Sequence, residues 1–314
     1  MALSVAEANA VSSANYDPTL SQITFQSSPL WAKMKKRNKV QVRGGADLRW
    51  TIRYQDLDYA DAVSARQQIT FEQKETRTQA VLDWKYYNAK TMVSWDERVK
   101  NTGKPQIINL MGDKATELKE DMENRFATDL FTANPNGNGF EPLTTIVDSA
   151  SSYAGIAVAD AANWASIEDG STTTLNLYGS NSLSYLVNQA TFGNKMPDFH
   201  LTTRDLASKA ESLIEPQKRY YDEELADMGF KSVTFHGAPI VGDPKCTTAL
   251  WLGLCLDVLE IWVHPDFDMV ITPWKELFQA GFPNSMAKVM SWAGNIVCRN
   301  RKPMFKATAL DYTL

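Results

Sequence analysis

Cysteine is scarce in this chain of 314 residues, with only Cys246, Cys255 and Cys298. Three thiols at such uneven spacing exclude a disulfide framework and a CxxC metal knuckle, and they suit a reducing compartment in which cysteine serves as a small buried hydrophobe. Long hydrophobic runs are missing too. No window approaches the roughly 20 uninterrupted apolar residues of a membrane span. The first residues lack the basic-then-apolar order of a secretory signal, so the expectation is a chain used where it is synthesised, with no membrane partner. Positive charge is in deficit, the formal net charge being −5. A surface given over to sequence-specific polyanion binding is therefore excluded, because that needs concentrated cations.

Signatures of chemistry are absent as well. Gly193-Asn194-Lys195 lacks the upstream glycine and the following Ser or Thr of a phosphate loop, and no dinucleotide fingerprint follows a strand. Neither G-x-S-x-G nor H-E-x-x-H occurs. The three histidines, His200, His236 and His264, stand apart, each in or beside an expected strand, so ordinary structural roles outweigh a metal cluster. Asp222, Glu223, Glu224 and Asp227 follow Lys218-Arg219-Tyr220-Tyr221 as a solvated, salt-bridged face would. No catalytic residue, cofactor or metal ligand is assigned, and the chain is expected not to be an enzyme.

What is present is 44% hydrophobic content, enough for one or two proper cores. Residues 1–37 form an arm, rich in Ala, Ser, Asn and Thr and ending in a basic cluster of Lys33, Lys35, Lys36, Arg37 and Lys39. From Val40 to Val99 the pattern is one very long β-hairpin. Val40, Val42, Leu48, Trp50, Ile52 and Tyr54 alternate on the way out, with Gly44-Gly45 as a bulge, and Trp84, Tyr86 and Tyr87 lie on the return. Its tip, Gln55 to Arg66, carries Asp56, Asp58, Asp61 and Arg66. An isolated hairpin is marginal in water, so one this long is expected to lie on a neighbouring copy of the chain.

Pro105 then opens a long helix. Ile107, Met111, Ala115, Leu118, Met122, Phe126 and Leu130 line one face, while Asp113, Glu117, Glu120, Glu123 and Asp129 fill the other. Asn134-Pro135-Asn136-Gly137-Asn138-Gly139 stops it. Residues 140–257 read as a mixed α/β block with a helix through Leu175, Leu183 and Leu186, a strand at Phe199–Thr202 and a strand pair within Phe230–Val241. Strands return from Leu259 onward, with a long run from Met286 to Leu310. The layout is α+β: an arm (1–37), a hairpin (38–99), a domain made from 100–139 with 258–314, and an inserted block (140–257).

The ordered set of an arm, a hairpin containing Gly44-Gly45-Ala46-Asp47-Leu48-Arg49, Asn101-Thr102-Gly103-Lys104-Pro105 leading into the long helix, Tyr153-Ala154-Gly155-Ile156 with Trp164, and Phe235-His236-Gly237-Ala238-Pro239 resembles the major capsid proteins of tailed bacteriophages, the HK97-like fold. The resemblance spans nearly the whole chain, and its strength lies in order and spacing. It implies an extended E-loop at 38–99, a peripheral P-domain with the long helix as its spine, and an axial A-domain inserted at 140–257. It also implies self-assembly as pentamers and hexamers into an icosahedral shell, located in the virion, built in the host bacterial cytoplasm and enclosing double-stranded DNA that is contacted non-specifically. Scaffolding, portal and decoration proteins are the further partners implied. Candidate intersubunit contacts are Tyr54, Asp56, Asp58 and Arg66 on the hairpin, with Lys36 and Arg37 at the end of the arm. A bacterial nanocompartment shell is the alternative that shares the fold, and an α/β enzyme built on the middle block is the second. Relatives often begin with a scaffolding segment or propeptide and some cross-link a lysine to an asparagine; here the arm starts almost at Met1, and no residue pair is assigned to a cross-link.

Overall fold

In the computed structural model, residues 29–37, 40–58, 60, 62–68, 71, 73–94, 104–214, 232–277 and 285–311 are described. The arm before Pro29, Trp95 to Gly103, the acidic run at 222–227, Lys39, Tyr59 and Asp61 lie outside them.

A short helix α1 (Pro29–Lys36) leads into strands β1 (Val40–Val42), β2 (Leu48–Arg53), β3 (Arg77–Leu82) and β4 (Lys85–Val93). The long helix α2 (Lys104–Asp129) follows, 26 residues or roughly 39 Å at 1.5 Å per residue. A one-turn helix α3 (Leu143–Ile146) and β5 (Ile167–Asp169) carry the chain into the middle block. That block contains α4 (Leu183–Ala190), β6 (Phe199–Thr202), α5 (Arg204–Leu213), β7 (Ser232–Phe235), β8 (Ala238–Gly242) and β9 (Trp251–Leu254). The chain closes through β10 (Leu259–Val263), β11 (Val270–Ile271), β12 (Lys275–Glu276), β13 (Met286–Cys298) and β14 (Phe305–Ala307).

Two six-stranded sheets organise these elements. In the first, β13 is the central strand and pairs antiparallel with β10, β11, β12 and β4, while β1 joins β10 in parallel. The second runs β5-β14-β9-β6-β8-β7. Helix α2 packs on β4 and β13 through the expected stripe, with Ala115, Leu118, Met122, Phe126 and Leu130 all buried. Phe126 sits among Trp292, Tyr87 and Trp31 with ring centroids 4.8, 5.0 and 6.0 Å away. This aromatic cluster fixes where the rod lies, because tilted rings pack at that distance. Helices α4 and α5 cover one face of the second sheet, burying Leu183, Leu186, Leu206 and Ala210 against Val233, Phe235, Ile240 and Trp251. Each helix starts at a hydroxyl cap: Ser182 accepts from the Tyr185 amide and Thr203 from the Leu206 amide.

Four expectations need correction. The stretch 40–99 is not one hairpin: only β2 and β3 pair with each other, Leu48 opposite Leu82 through Arg53 opposite Arg77, while β1 and β4 belong to the first sheet. Gly44-Gly45 therefore marks the place where the chain changes sheets, not a bulge within one. The final strand of the unit expected at 258–314, β14, pairs with β5 and β9 in the second sheet. Leu175 is buried but precedes α4 instead of belonging to it. Asp129, expected on the polar face of α2, is buried at 1% exposure, because the turn after the helix folds back over it.

Candidate assembly surface

The β2–β3 hairpin alternates cleanly, with Leu48, Trp50 and Ile52 turned inward and Arg49, Thr51 and Arg53 outward. Its inner face rests on the chain's own core, where Trp50 meets Trp262 edge to face at 5.9 Å. Burying each such side chain is worth about 1.5–3 kcal/mol, against under about 1 kcal/mol for an exposed ion pair. Apolar burial, not the exposed pair Arg53–Asp56 at 2.8 Å, sets the position of the stem. The stem therefore has a local core that the alternation pattern alone did not reveal.

A tight turn holds the root of the hairpin. Tyr153 and Ile156 exchange backbone hydrogen bonds around Ala154 (φ 53°) and Gly155 (φ 74°). Such a two-residue turn requires positive φ at both central positions, which glycine supplies without strain. The Ala154 carbonyl, presented outward, accepts from the Val81 amide at 3.0 Å. Behind it the Tyr153 hydroxyl donates to the Ile296 carbonyl at 2.9 Å and accepts from the Cys298 amide at 3.0 Å, clasping β13. Trp164 stacks on Tyr153 at 6.2 Å. The Tyr153-Ala154-Gly155-Ile156 and Trp164 motif is thus the fastener between hairpin and sheet.

Beyond the stem the chain is bare. Residues 56–58, 60 and 62–68 are all exposed, among them Leu57, Val63, Asp56, Asp58 and Arg66, and Phe71 is 92% exposed. Asp58 adopts φ 55°, a left-handed conformation that Asp tolerates better than most residues. Tyr54 is half-buried and marks the border: its hydroxyl donates to the Glu75 carbonyl at 3.1 Å and its carbonyl accepts from Asn163 Nδ2 at 3.2 Å. A cleft of about 490 Å³ opens beside it, edged by Arg53, Asn163, Phe192, Arg299 and Lys302. Two of its cations are already engaged, Arg299 with Glu260 at 2.9 Å and Lys302 with the Asn163 side chain at 3.1 Å.

The basic cluster after the arm is dispersed by the fold. Lys33 is buried, Lys36 is exposed, and Arg37 is ion-paired with Asp198, whose other oxygen accepts from the Leu256 amide at 2.7 Å. Of the six candidate contact residues, Asp56, Asp58, Arg66 and Lys36 face solvent, whereas Tyr54 and Arg37 are engaged within the subunit.

No constellation for catalysis emerges among the described residues, where no group of three His, Cys, Asp or Glu could hold a metal ion. His200 is wholly buried among aromatic rings, accepts from Trp251 Nε1 at 3.3 Å, and is pushed down to about 3 by burial and then by the field of His236, so it is neutral. His236, on the β7–β8 turn, pairs with Ser184 Oγ at 3.0 Å, and His264 accepts from the Asp266 amide at 3.2 Å. All three cysteines are free thiols, and burial pushes Cys298 up to about 12, the opposite of an activated nucleophile.

No family model and no curated protein matches the sequence. Solved structures do match it in fold. The cyanophage A-1(L) capsid asymmetric unit aligns with a TM-score of 0.64 at 16% identity, over 87% of this chain and 90% of that one. The capsid of Myoviridae phage XM1 aligns at 0.56 and 8% identity, over 88% and 92%. The capsid of an empty GTA particle aligns at 0.55 and 9% identity, over 86% and 94%. The fold of this chain is the HK97-like capsid fold, as its residue pattern implied.

Proposed function

We propose that this chain is a major capsid protein, which assembles with copies of itself as pentamers and hexamers into the icosahedral shell of a tailed phage. The observation that carries the proposal is the division of the hairpin: a stem docked on the chain's own core and a tip, 56–71, that leaves Leu57, Val63 and Phe71 in solvent beside Asp56 and Asp58. Exposed apolar side chains at the end of a rigid lever are unfavourable in a monomer and favourable in a repeated contact. Closed symmetry lets many interfaces of modest strength add up to a stable particle. The capsid fold of the solved structures above supports the same reading. Lys36, Asp56, Asp58 and Arg66 are the proposed intersubunit residues.

Within this reading the first sheet with α2 is the peripheral domain and the second sheet with α4 and α5 the axial one. The protein belongs to the virion after assembly in the host cytoplasm, acts mechanically rather than as an enzyme, and touches enclosed double-stranded DNA through non-specific contacts. Scaffolding, portal and decoration proteins are its expected partners. Negative-stain microscopy of the purified full-length chain tests the proposal. Hollow polyhedra are expected; a monodisperse monomer at every concentration and salt condition would overturn it.

A further inference from the structure

The chain passes between its two sheets three times: through α3 and residues 147–166, through 255–258, and through 299–304. The third passage sends a cation into the first. Arg301 is wholly buried, and its guanidinium donates to four backbone carbonyls of the first passage: Nε to Ile146 at 2.6 Å, Nη1 to Ser151 at 2.8 Å, and Nη2 to Thr145 at 3.1 Å and Asp148 at 3.0 Å. The Tyr153 ring flanks it at 5.8 Å. Its own carbonyl accepts from Ser166 Oγ at 2.7 Å.

Five residues on, Lys306 is also buried, with Nζ 2.6 Å from Asp148 Oδ2, 3.0 Å from Glu168 Oε1 and 3.2 Å from the Thr144 carbonyl. Asp148 in turn accepts from the amides of Ala150 at 2.8 Å and Ser151 at 2.6 Å. Burial alone would raise the Asp148 carboxyl, but Lys306 and these amides outweigh it and hold it below the usual range.

A buried guanidinium is costly unless its donors are matched, and an apolar side chain of similar length would fill the same space at less cost. The gain from arginine is directional, a rigid planar fork that reads the positions of several acceptors at once. The carbonyls it reads include those left unpaired at the end of a one-turn helix.

We propose that Arg301 and Lys306 form a clasp that fixes the first passage and thereby the angle at which the two sheets meet. Arg301 is a positioning residue in this sense. The effect on the subunit stands independently of the shell reading; only the consequence for particle curvature rests on it.

Hydrogen exchange and negative-stain microscopy of the full-length Arg301→Met, Arg301→Lys and Lys306→Met variants test the clasp. In Arg301→Met, amides of 145–151 are expected to exchange at least about tenfold faster while those of β9 and β13 keep their protection, the mark of a local opening. Arg301→Lys should fall between, and assemblies of Arg301→Met should be open or irregular. Unchanged exchange at 145–151 would overturn the proposal, as would equal loosening of β9 and β13, which is ordinary core damage. Normal closed shells from a variant with a loosened passage would overturn the link to curvature. Should Arg301→Met not fold, Lys306→Met decides by the same readings. If the unmodified chain forms no shells, the shell reading fails while hydrogen exchange still decides the clasp.

Discussion

The hydroxyl of Tyr87, on β4, donates to Oδ2 of Asp129 at 2.7 Å, tying the first sheet to the last turn of the long helix. Asn134 Nδ2 donates to the same oxygen at 2.9 Å, Arg125 pairs with the other at 2.9 Å, and the Tyr87 oxygen accepts from the Phe140 amide at 3.0 Å. The turn after the helix is thus closed over a buried carboxylate. Burial first, then the bond to Asp129, raises the Tyr87 hydroxyl well above its ordinary value, so it remains a donor throughout the accessible range. Gly139 has to be glycine here, since a Cβ would stand 2.7–2.8 Å from Asn134, Asp129 and the Tyr87 hydroxyl.

Tyr87→Phe should therefore cost about 2–3 kcal/mol, because it strips a partner from a buried carboxylate and from a buried amide at once. Chemical denaturation of the variant measures this directly. A loss under about 0.5 kcal/mol, the range of an ordinary surface change, would mean that the closure does not depend on this bond.

Leu118 faces the sheet at 3% exposure, whereas Glu120 lies on the solvent side of α2. Leu118→Asp is expected to disrupt folding, since an unpaired buried carboxylate costs several kcal/mol of a total near 5–15. Glu120→Gln should leave the melting temperature within a degree or two. Circular dichroism melts of both variants check the assignment, which equal stabilities would refute.

The contrast between these residues shows what a sequence pattern can carry. Ala115, Leu118, Met122, Phe126 and Leu130 repeat at helical spacing, so the buried stripe was legible locally. Asp129 breaks the pattern, and its burial depends on a turn that folds back and on a strand 42 residues away in sequence. Arg37 likewise reads as one more cation in a basic run, because its partner Asp198 is 161 residues distant. Strand β14 is three residues long and its partners β5 and β9 are remote, so no period marked it for the second sheet. The bare tip of the hairpin was legible from its small and charged side chains. The docking of the stem was not, since alternation alone does not say what an apolar face meets.

Acid should weaken the subunit in two stages. His200 titrates at about 3 in the folded chain against an ordinary histidine value of 6.5, so the unfolded chain takes up a proton first. Its contribution is complete above pH 6.5 and is lost as pH falls from there toward 3, on the order of several kcal/mol by linkage. Asp148 and Asp169, both lowered, lose their contributions only below the ordinary aspartate value of 3.8. Glu141 and Asp243, raised by burial, act in the opposite sense near the lower part of the first window. The difference between His200→Gln and the unmodified chain isolates the histidine. Stability curves from pH 7 to 4 should be flatter for the variant, and parallel curves would show that His200 does not govern the first stage.

Reductant should leave assembled particles intact. Cys255 and Cys298 are buried, Cys246 is half-buried, and all three are free. A cysteine-linked dimer on a non-reducing gel, with particles lost in dithiothreitol, would contradict this.

The tip of the hairpin offers the sharpest separation between folding and assembly. Its described residues from Asp56 to Gln68 are exposed, and the stem that supports them is anchored independently by Trp50, Ile52 and the Val81 bond to Ala154. Removing Gln55 to Arg66 in favour of a short Gly-Ser turn takes away almost no buried surface, and shortening a loop changes its closure entropy by well under about 1 kcal/mol per halving of length. The loss of the Tyr54–Gln55 contact is similarly small. The truncated subunit should therefore stay soluble and melt cooperatively within a few degrees of the full chain. It should not close into shells, because Leu57, Val63, Asp56 and Asp58 are no longer there to meet a second copy. Size-exclusion chromatography with electron microscopy reads both properties on one sample. Normal closed shells would refute the contact in trans, and an unfolded product would place the tip within the fold of the subunit itself.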